Sequence, residues 1–297
     1  MRIVSLLPST TEILFALGAG EQVVGVTFEC DFPAEARTRR IVSTSTLREG
    51  LEPAEIDRVV ADRMAAGEDL YHLDRGALAD LDADLVVTQD LCAVCAVDVS
   101  EVDEALDFLA CRAEVLTVDP QRLDEVLDAI RSLGKVTGTE VRAEELVAEL
   151  AGRLAVCRRA VSARAPVRTV LLEWTDPPFA PGHWVPDMIT SAGGDCVVGT
   201  AGQRSYRVGW DAVAAAAPEI VVSAPCGFGL SESARLAIEL ARKGVVPAGV
   251  PIWAVDANAS FARPGPRLVD GVETLARIMH ADAFEDEPDP TLACRVA

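Results

Sequence analysis

Two short runs of unbroken apolar residues restrict the folds open to this chain more than any other feature. Asp84-Leu85-Val86-Val87-Thr88 and Glu219-Ile220-Val221-Val222-Ser223 carry no polar residue between their ends. A strand with one wet face alternates, whereas an unbroken apolar strand belongs in a parallel sheet with both faces covered. The neighbouring segments supply the cover. Over 122–133, Leu123, Val126, Leu127 and Ile130 recur at helical spacing. Strands over 3–7, 85–88 and 115–118, with helices over 101–110 and 122–133, then imply βαβ units in a first lobe. Residues 53–82 read as helical sequence, polar on one side, that covers this lobe. A second lobe restarts with strands over 167–173, 219–223 and 252–255 and helices over 185–192, 231–242 and 266–279. The expected class is α/β: two lobes, each a mostly parallel sheet flanked by helices.

One long helix is expected to join them. Leu146, Leu150, Leu154, Cys157 and Val161 form an apolar stripe, with Glu140, Glu144, Glu145 and Glu149 early and Arg153, Arg158, Arg159 and Arg164 late. That order suits the helix dipole, and Thr137-x-x-Glu140 can cap its start. About 26 residues at 1.5 Å each span roughly 40 Å, enough for a strut. The expected domains are an N-terminal lobe over 1–136, the linking helix over 137–165 and a C-terminal lobe over 166–281. Residues 282–297, with Glu285, Asp286, Glu287 and Asp289 among prolines, read as a disordered acidic tail.

A net charge of −20 argues against nucleic acid, because phosphate neutralisation needs clustered Lys and Arg. No segment is long and apolar enough to embed the chain in a membrane. The opening Met1-Arg2-Ile3-Val4-Ser5-Leu6-Leu7 is interrupted by Pro8-Ser9-Thr10-Thr11-Glu12, and Ser9-x-x-Glu12 reads as a capping box, not a signal peptide. The expected compartment is therefore cytoplasmic. There the eight cysteines stay reduced, which favours metal, redox or packing roles over disulfides.

Cys92 and Cys95 form a C-x-x-C pair directly after strand 85–88, and Cys226 follows strand 219–223 in the same way. Loops leaving the carboxyl ends of parallel strands line the ligand crevice. With Cys30, these thiols could hold zinc or an iron–sulfur cluster; packing against a wall or ligand is the plainer alternative. His183, in a Gly-His-Trp turn, could ligate a metal centre axially or simply bond the backbone. No P-loop, G-x-G-x-x-G after a strand, H-E-x-x-H or nucleophile elbow is present, which leans the reading away from an enzyme.

Several stretches, in order and spacing around the long helix, carry a family likeness. They are Leu6-Leu7-Pro8-Ser9-Thr10-Thr11-Glu12, Cys30-Asp31-Phe32-Pro33 and Ala83-Asp84-Leu85-Val86-Val87, then Asp176-Pro177-Pro178-Phe179, Ala192-Gly193-Gly194, Val208-Gly209-Trp210 and Arg263-Pro264-Gly265-Pro266-Arg267. Over about 2–279 the chain resembles the helical-backbone (class III) periplasmic-type substrate-binding proteins, and within them the vitamin B12-binding proteins of cobalamin importers. The resemblance implies two lobes that hold a small-molecule ligand between them, with an ABC transporter as partner. It implies non-enzymatic binding of a cobalamin-like corrinoid or related tetrapyrrole. Carried over position by position, the ligand would meet Ser9, Thr10, Thr11, Glu29, Asp90, Phe179, His183, Trp184, Trp210, Phe228 and Phe261. Aromatic side chains give broad, flat contact with few rotors to freeze, which suits such a ligand. The sequence departs from the family in its start, in the 53–82 segment and in its cysteine-bearing loops. The alternative from another class is a metal- or iron–sulfur-dependent enzyme or redox protein using Cys30, Cys92, Cys95 and Cys226.

Overall fold

A computed structural model describes residues 1–48, 50–66, 68, 70–89, 102, 106 and 113–297. The chain divides into two units, Met1–Asp119 with Leu127–Val147, and Pro120–Val126 with Ala148–Ala297.

In unit 1 the strands are β1 (Ile3–Ser5), β2 (Val23–Thr27), β3 (Arg40–Ser45), β4 (Tyr71–Leu73), β5 (Leu85–Thr88) and β6 (Glu114–Thr117). Their order in the sheet is β4-β3-β2-β1-β5-β6, parallel throughout except for β4. Every residue of β1 and β5 is buried, as their unbroken apolar character requires. One face packs Val4, Leu6, Val42, Leu73 and Val86 into a common core.

Helix α1 (Pro8–Ala16) follows β1 directly, and its start corrects an expectation. Ser9 does not cap it: Leu7 occupies the cap position in extended conformation, with no side-chain cap, and Pro8 stands in the first turn. Proline has no N–H to satisfy and its φ is already helical, so it opens a helix readily. Residues 53–82 also differ from the expected helical cover. They hold α2 (Pro53–Ala66), then β4, then α3 (Arg75–Leu78). Tyr71-His72-Leu73 alternates, with Leu73 buried and His72 exposed, and pairs antiparallel with Ser43, Thr44 and Ser45. Asp74 caps α3 by accepting from the Ala77 amide at 3.0 Å. The helix expected over 101–110 lies largely outside the described residues.

Helix α4 (Leu123–Thr137) is amphipathic, burying Leu123, Val126, Ile130 and Leu133. Helix α5 (Glu140–Val161) is 22 residues long, or roughly 33 Å at 1.5 Å per residue. It starts later than expected because Thr137 closes α4, donating its hydroxyl to the Leu133 carbonyl at 2.7 Å. Its stripe of Leu146, Leu150, Leu154, Cys157 and Val161 is buried throughout.

Unit 2 contains β7 (Val167–Leu172), β8 (Trp174–Thr175), β9 (Pro178–Ala180), β10 (Gly194–Cys196), β11 (Tyr206–Arg207), β12 (Ile220–Ser223), β13 (Ile252–Val255) and β14 (Ala293–Arg295). The larger sheet runs β10-β7-β12-β13-β14, with only β14 antiparallel, and a small antiparallel sheet runs β11-β9-β8. Helices α6 (Val185–Ser191), α7 (Trp210–Ala215), α8 (Leu230–Lys243), α9 (Ala257–Ser260) and α10 (Leu268–Met279) complete it. Val170, Leu172, Val213, Val221 and Leu240 share one core.

The segment over 282–297, expected as a disordered tail, ends in strand β14 instead. Trp253, Ala254 and Val255 pair with Arg295, Cys294 and Ala293, and the Val296 amide donates to the Ile252 carbonyl at 2.8 Å. Edge strand β13 would otherwise leave its backbone groups unpaired. Composition described the acidic stretch and overlooked the few apolar residues after it.

On α5, Arg153 donates to Glu273 at 2.9 and 3.0 Å and to Asp270 at 2.6 Å, both on α10. Hydrogen bonding to Glu273, against partial burial, raises its affinity for its proton further. Arg153→Met leaves two facing carboxylates without that cation. After allowance for solvent screening, we expect a loss of about 1–2 kcal/mol in denaturant unfolding. Among the described residues no helix is long and apolar enough to cross a membrane.

Candidate functional site

In each unit, the loops leaving the carboxyl ends of the parallel strands bring the chemistry to one edge of the sheet. In unit 1 these are the β1–α1 turn and the loop after β2. Ser5 Oγ and Thr10 Oγ1 lie 2.7 Å apart, Thr11 donates to Ser5 Oγ at 2.8 Å, and Thr11 Oγ1 shares a 3.0 Å contact with Cys30 Sγ. Ser9, Thr10, Thr11 and Cys30 are all buried. The Ser5, Thr10, Thr11 and Cys30 side chains therefore fasten the turn to the neighbouring loop.

Beyond them the edge is more open. Phe28 is exposed and Glu29 half-buried. Tyr71 begins β4 opposite Ser45, the last residue of β3, and so stands at the same edge. Its ring centroid lies 6.0 Å from that of Phe28, and its hydroxyl donates to Glu29 Oε2 at 3.3 Å. Tyr71 was not among the sequence candidates; the alternation in 71–73 was the available signal. A separate hollow of about 670 Å³ lies beside α1, lined by Glu12, Phe15, Phe32, Glu35 and Arg39 among others.

In unit 2 the loops after β7, β12 and β13 meet. The Cys226 amide donates to the Glu173 carbonyl at 3.0 Å, and the Asn258 amide to the Phe228 carbonyl at 3.0 Å. Trp174 and Phe228 stack at a tilt with centroids 5.6 Å apart, both half-buried. The Arg207 guanidinium lies over the Phe179 ring at 5.8 Å, a cation–π contact. Cys226 is exposed. Trp184 and Phe261 are instead buried, at 7% and 3% exposure, and the Trp184 indole donates to the Phe261 carbonyl at 2.8 Å. Trp210 is half-buried at the start of α7 and packs on the unit's core.

His183 adopts a positive φ of 48°, uncommon outside glycine. Its backbone is held on both sides, the amide donating to Gln203 O at 2.7 Å and the carbonyl accepting from Gly202 N at 3.0 Å. Nε2 is buried with no hydrogen-bond partner among the described residues. Burial first, and Arg204 second, lowers its pKa below the usual value. A neutral imidazole follows. Behind it, Glu173 accepts from the Gly182 amide at 3.2 Å and from the Ser205 hydroxyl.

Asp90, Cys92 and Cys95 lie outside the described residues. Among the described residues, no group of three or more His, Cys, Asp or Glu is arranged to hold a metal ion. The metal-dependent enzyme alternative gains no support there.

Sequence comparison matches this chain to the periplasmic binding protein family over residues 3–237. It is 24% identical, across 96% of its length and 82% of the relative's, to an uncharacterized ABC transporter substrate-binding lipoprotein, YvrC, of Bacillus subtilis. The fold is similar to a periplasmic haem-binding protein of Pseudomonas aeruginosa, with a TM-score of 0.72, 18% identity and coverage of 100% of this chain and 98% of that one. It is similar to the periplasmic vitamin B12-binding protein BtuF of Vibrio cholerae, at TM-score 0.66, 19% identity and coverage of 96% and 98%. It is also similar to the haem-binding protein RhuT of Roseiflexus sp. RS-1, at 0.67, 24% identity and coverage of 95% and 99%. These likenesses support the two-lobed α/β class directly. They overturn the cytoplasmic expectation: the matched family is one of periplasmic binding proteins and the Bacillus relative is a lipoprotein.

Proposed function

This chain belongs to the periplasmic binding protein family, and on that premise we propose that it captures a flat metal chelate of the tetrapyrrole class outside the cytoplasm and delivers it to an ABC importer. The observation that carries this reading is the placement of accessible rings at the strand-end edge of each unit. Phe28 and Tyr71 stand on one, and Trp174, Phe179 and Phe228 on the other. Ring faces supply broad contact to a planar macrocycle at little conformational cost. Glu29 beside Tyr71 and Arg207 over Phe179 add polar groups that can orient its substituents. Relatives of this fold named for haem and for vitamin B12 support the ligand class, a corrinoid or a porphyrin. The transporter designation of the Bacillus relative supports the importer as partner.

The test is direct. Hemin and cyanocobalamin are added separately to the purified full chain, with the visible spectrum and thermal unfolding as readouts. One of them is expected to shift its absorption bands and, at 100 times its dissociation constant, to stabilise the fold by about 2.7 kcal/mol. Silence from both at roughly 100-fold excess over a micromolar constant means the cargo is not a tetrapyrrole.

A further inference from the structure

The rim of unit 2 is built from two chain segments that run against each other, 181–184 and 199–207. Their backbones touch: a Cβ on Gly182 would lie 2.4 Å from both Gln203 O and Ser205 N, and one on Gly199 would lie 2.4 Å from Pro181 O. Two backbone hydrogen bonds cross between them, His183 N–H donating to Gln203 O and Gly202 N–H to His183 O. One side chain reaches both segments from beneath. Glu173, just past β7, accepts from Gly182 N with Oε1 and from Ser205 Oγ with Oε2.

We propose that Glu173 is the clasp of this rim, a positioning residue whose proton occupancy sets how tightly the two segments are held and hence where Phe179 and Arg207 stand. The charged and titratable groups on the elements around it are Asp176, His183, Asp195, Cys196, Arg204, Tyr206, Arg207 and Cys226. Asp176 is engaged by Lys243 at 2.9 Å, and Arg207 lies over Phe179. Cys196 feels the Glu173 charge only weakly; its thiol is raised to about 11 mainly by burial. Burial likewise lifts the Glu173 carboxyl to about 7, against the lowering effect of Ser205 and Gly182. The sign follows. The folded unit keeps this proton up to about 7, whereas an ordinary glutamate releases it near 4.5. The stability it contributes at low pH is therefore lost as pH rises from about 4.5 to about 7, and ionisation loosens the clasp by drawing the carboxylate toward water.

Amide exchange of His183 and Gly202 in the ligand-free full chain, corrected for intrinsic rates from pH 5.5 to 8.5, reads the clasp. Protection is expected to fall by roughly tenfold or more as pH rises from 5.5 and to level off above about 7, where the closed and opened forms are both ionised. Glu173→Gln mimics the protonated carboxyl and should stay protected at every pH, while Glu173→Ala should be unprotected throughout. A flat wild-type profile, or the same step surviving in Glu173→Gln, overturns the proposal. Hemin titrations over this pH range keep the two readings apart. No hemin binding beside an intact exchange step leaves the clasp standing.

Discussion

Gly271→Ala is expected to destabilise the protein by about 2–3 kcal/mol, while Gly152→Ala stabilises it by up to about 1 kcal/mol. Both glycines lie inside helices, Gly152 in α5 and Gly271 in α10. By helix propensity alone both substitutions should help, because alanine loses less backbone freedom on folding. Space decides otherwise. A Cβ at Gly152 meets nothing within 4 Å. At Gly271 it would lie 2.3 Å from the Ser260 carbonyl oxygen and 2.8 Å from Met188 Cε. Met188 is fully buried and Ser260 closes α9, so neither can yield without moving a neighbour. The displaced α9 leads straight into Phe261, whose carbonyl receives the Trp184 indole. Thermal unfolding of the two variants checks the pair, with a fall of several degrees expected for Gly271→Ala. A rise for both would show that the α9–α10 approach is slacker than these distances.

The same local logic explains what could be read from the chain unaided. β5 and β12 were legible because a strand buried on both faces must be apolar without interruption, and both are buried at every position. The stripe on α5 was legible because five buried side chains, Leu146, Leu150, Leu154, Cys157 and Val161, repeat on one helix face. The start of α1 was misread where two valid signals competed, a Ser9 cap and a first-turn Pro8, and the proline won. The small sheet β11-β9-β8 was invisible for another reason. Phe179 pairs with Arg207, a partner far along the chain, and nothing in either segment announces the other. Candidate site residues followed suit. Glu29, Phe179 and Phe228 were named because the family resemblance implied them, position by position. Tyr71, the partner of Glu29, comes from a segment whose composition suggested only helical cover. Localisation failed because it rested on the chain's first residues, which say less than the family does.

Trp184→Ala is expected to cost about 3–5 kcal/mol, the largest effect of any single change considered, and Trp184→Phe about 1–3 kcal/mol. The residue stands at the N-terminal end of α6 with 7% of its surface exposed. Truncation to alanine empties a large buried volume beside the Gly182–His183 turn. Phenylalanine refills most of it but withdraws the indole N–H from the Phe261 carbonyl, a bond of 2.8 Å in a buried setting, and an orphaned buried carbonyl bears the full desolvation penalty. The contrast with the accessible rings is the informative part. Phe179→Ala and Phe228→Ala remove half-buried rings at the strand-end edge, so they should weaken hemin or cobalamin binding by roughly tenfold per lost ring contact while leaving unfolding nearly unchanged. Trp184→Phe should do the reverse, lowering the unfolding midpoint while the folded protein keeps its affinity within a few-fold. Measured together at a temperature where every variant is folded, the two readouts divide the aromatic set into ligand contacts and buttress. If Trp184→Phe kept its melting temperature and lost its ligand, the buttress argument would fail and the indole would belong to the binding face.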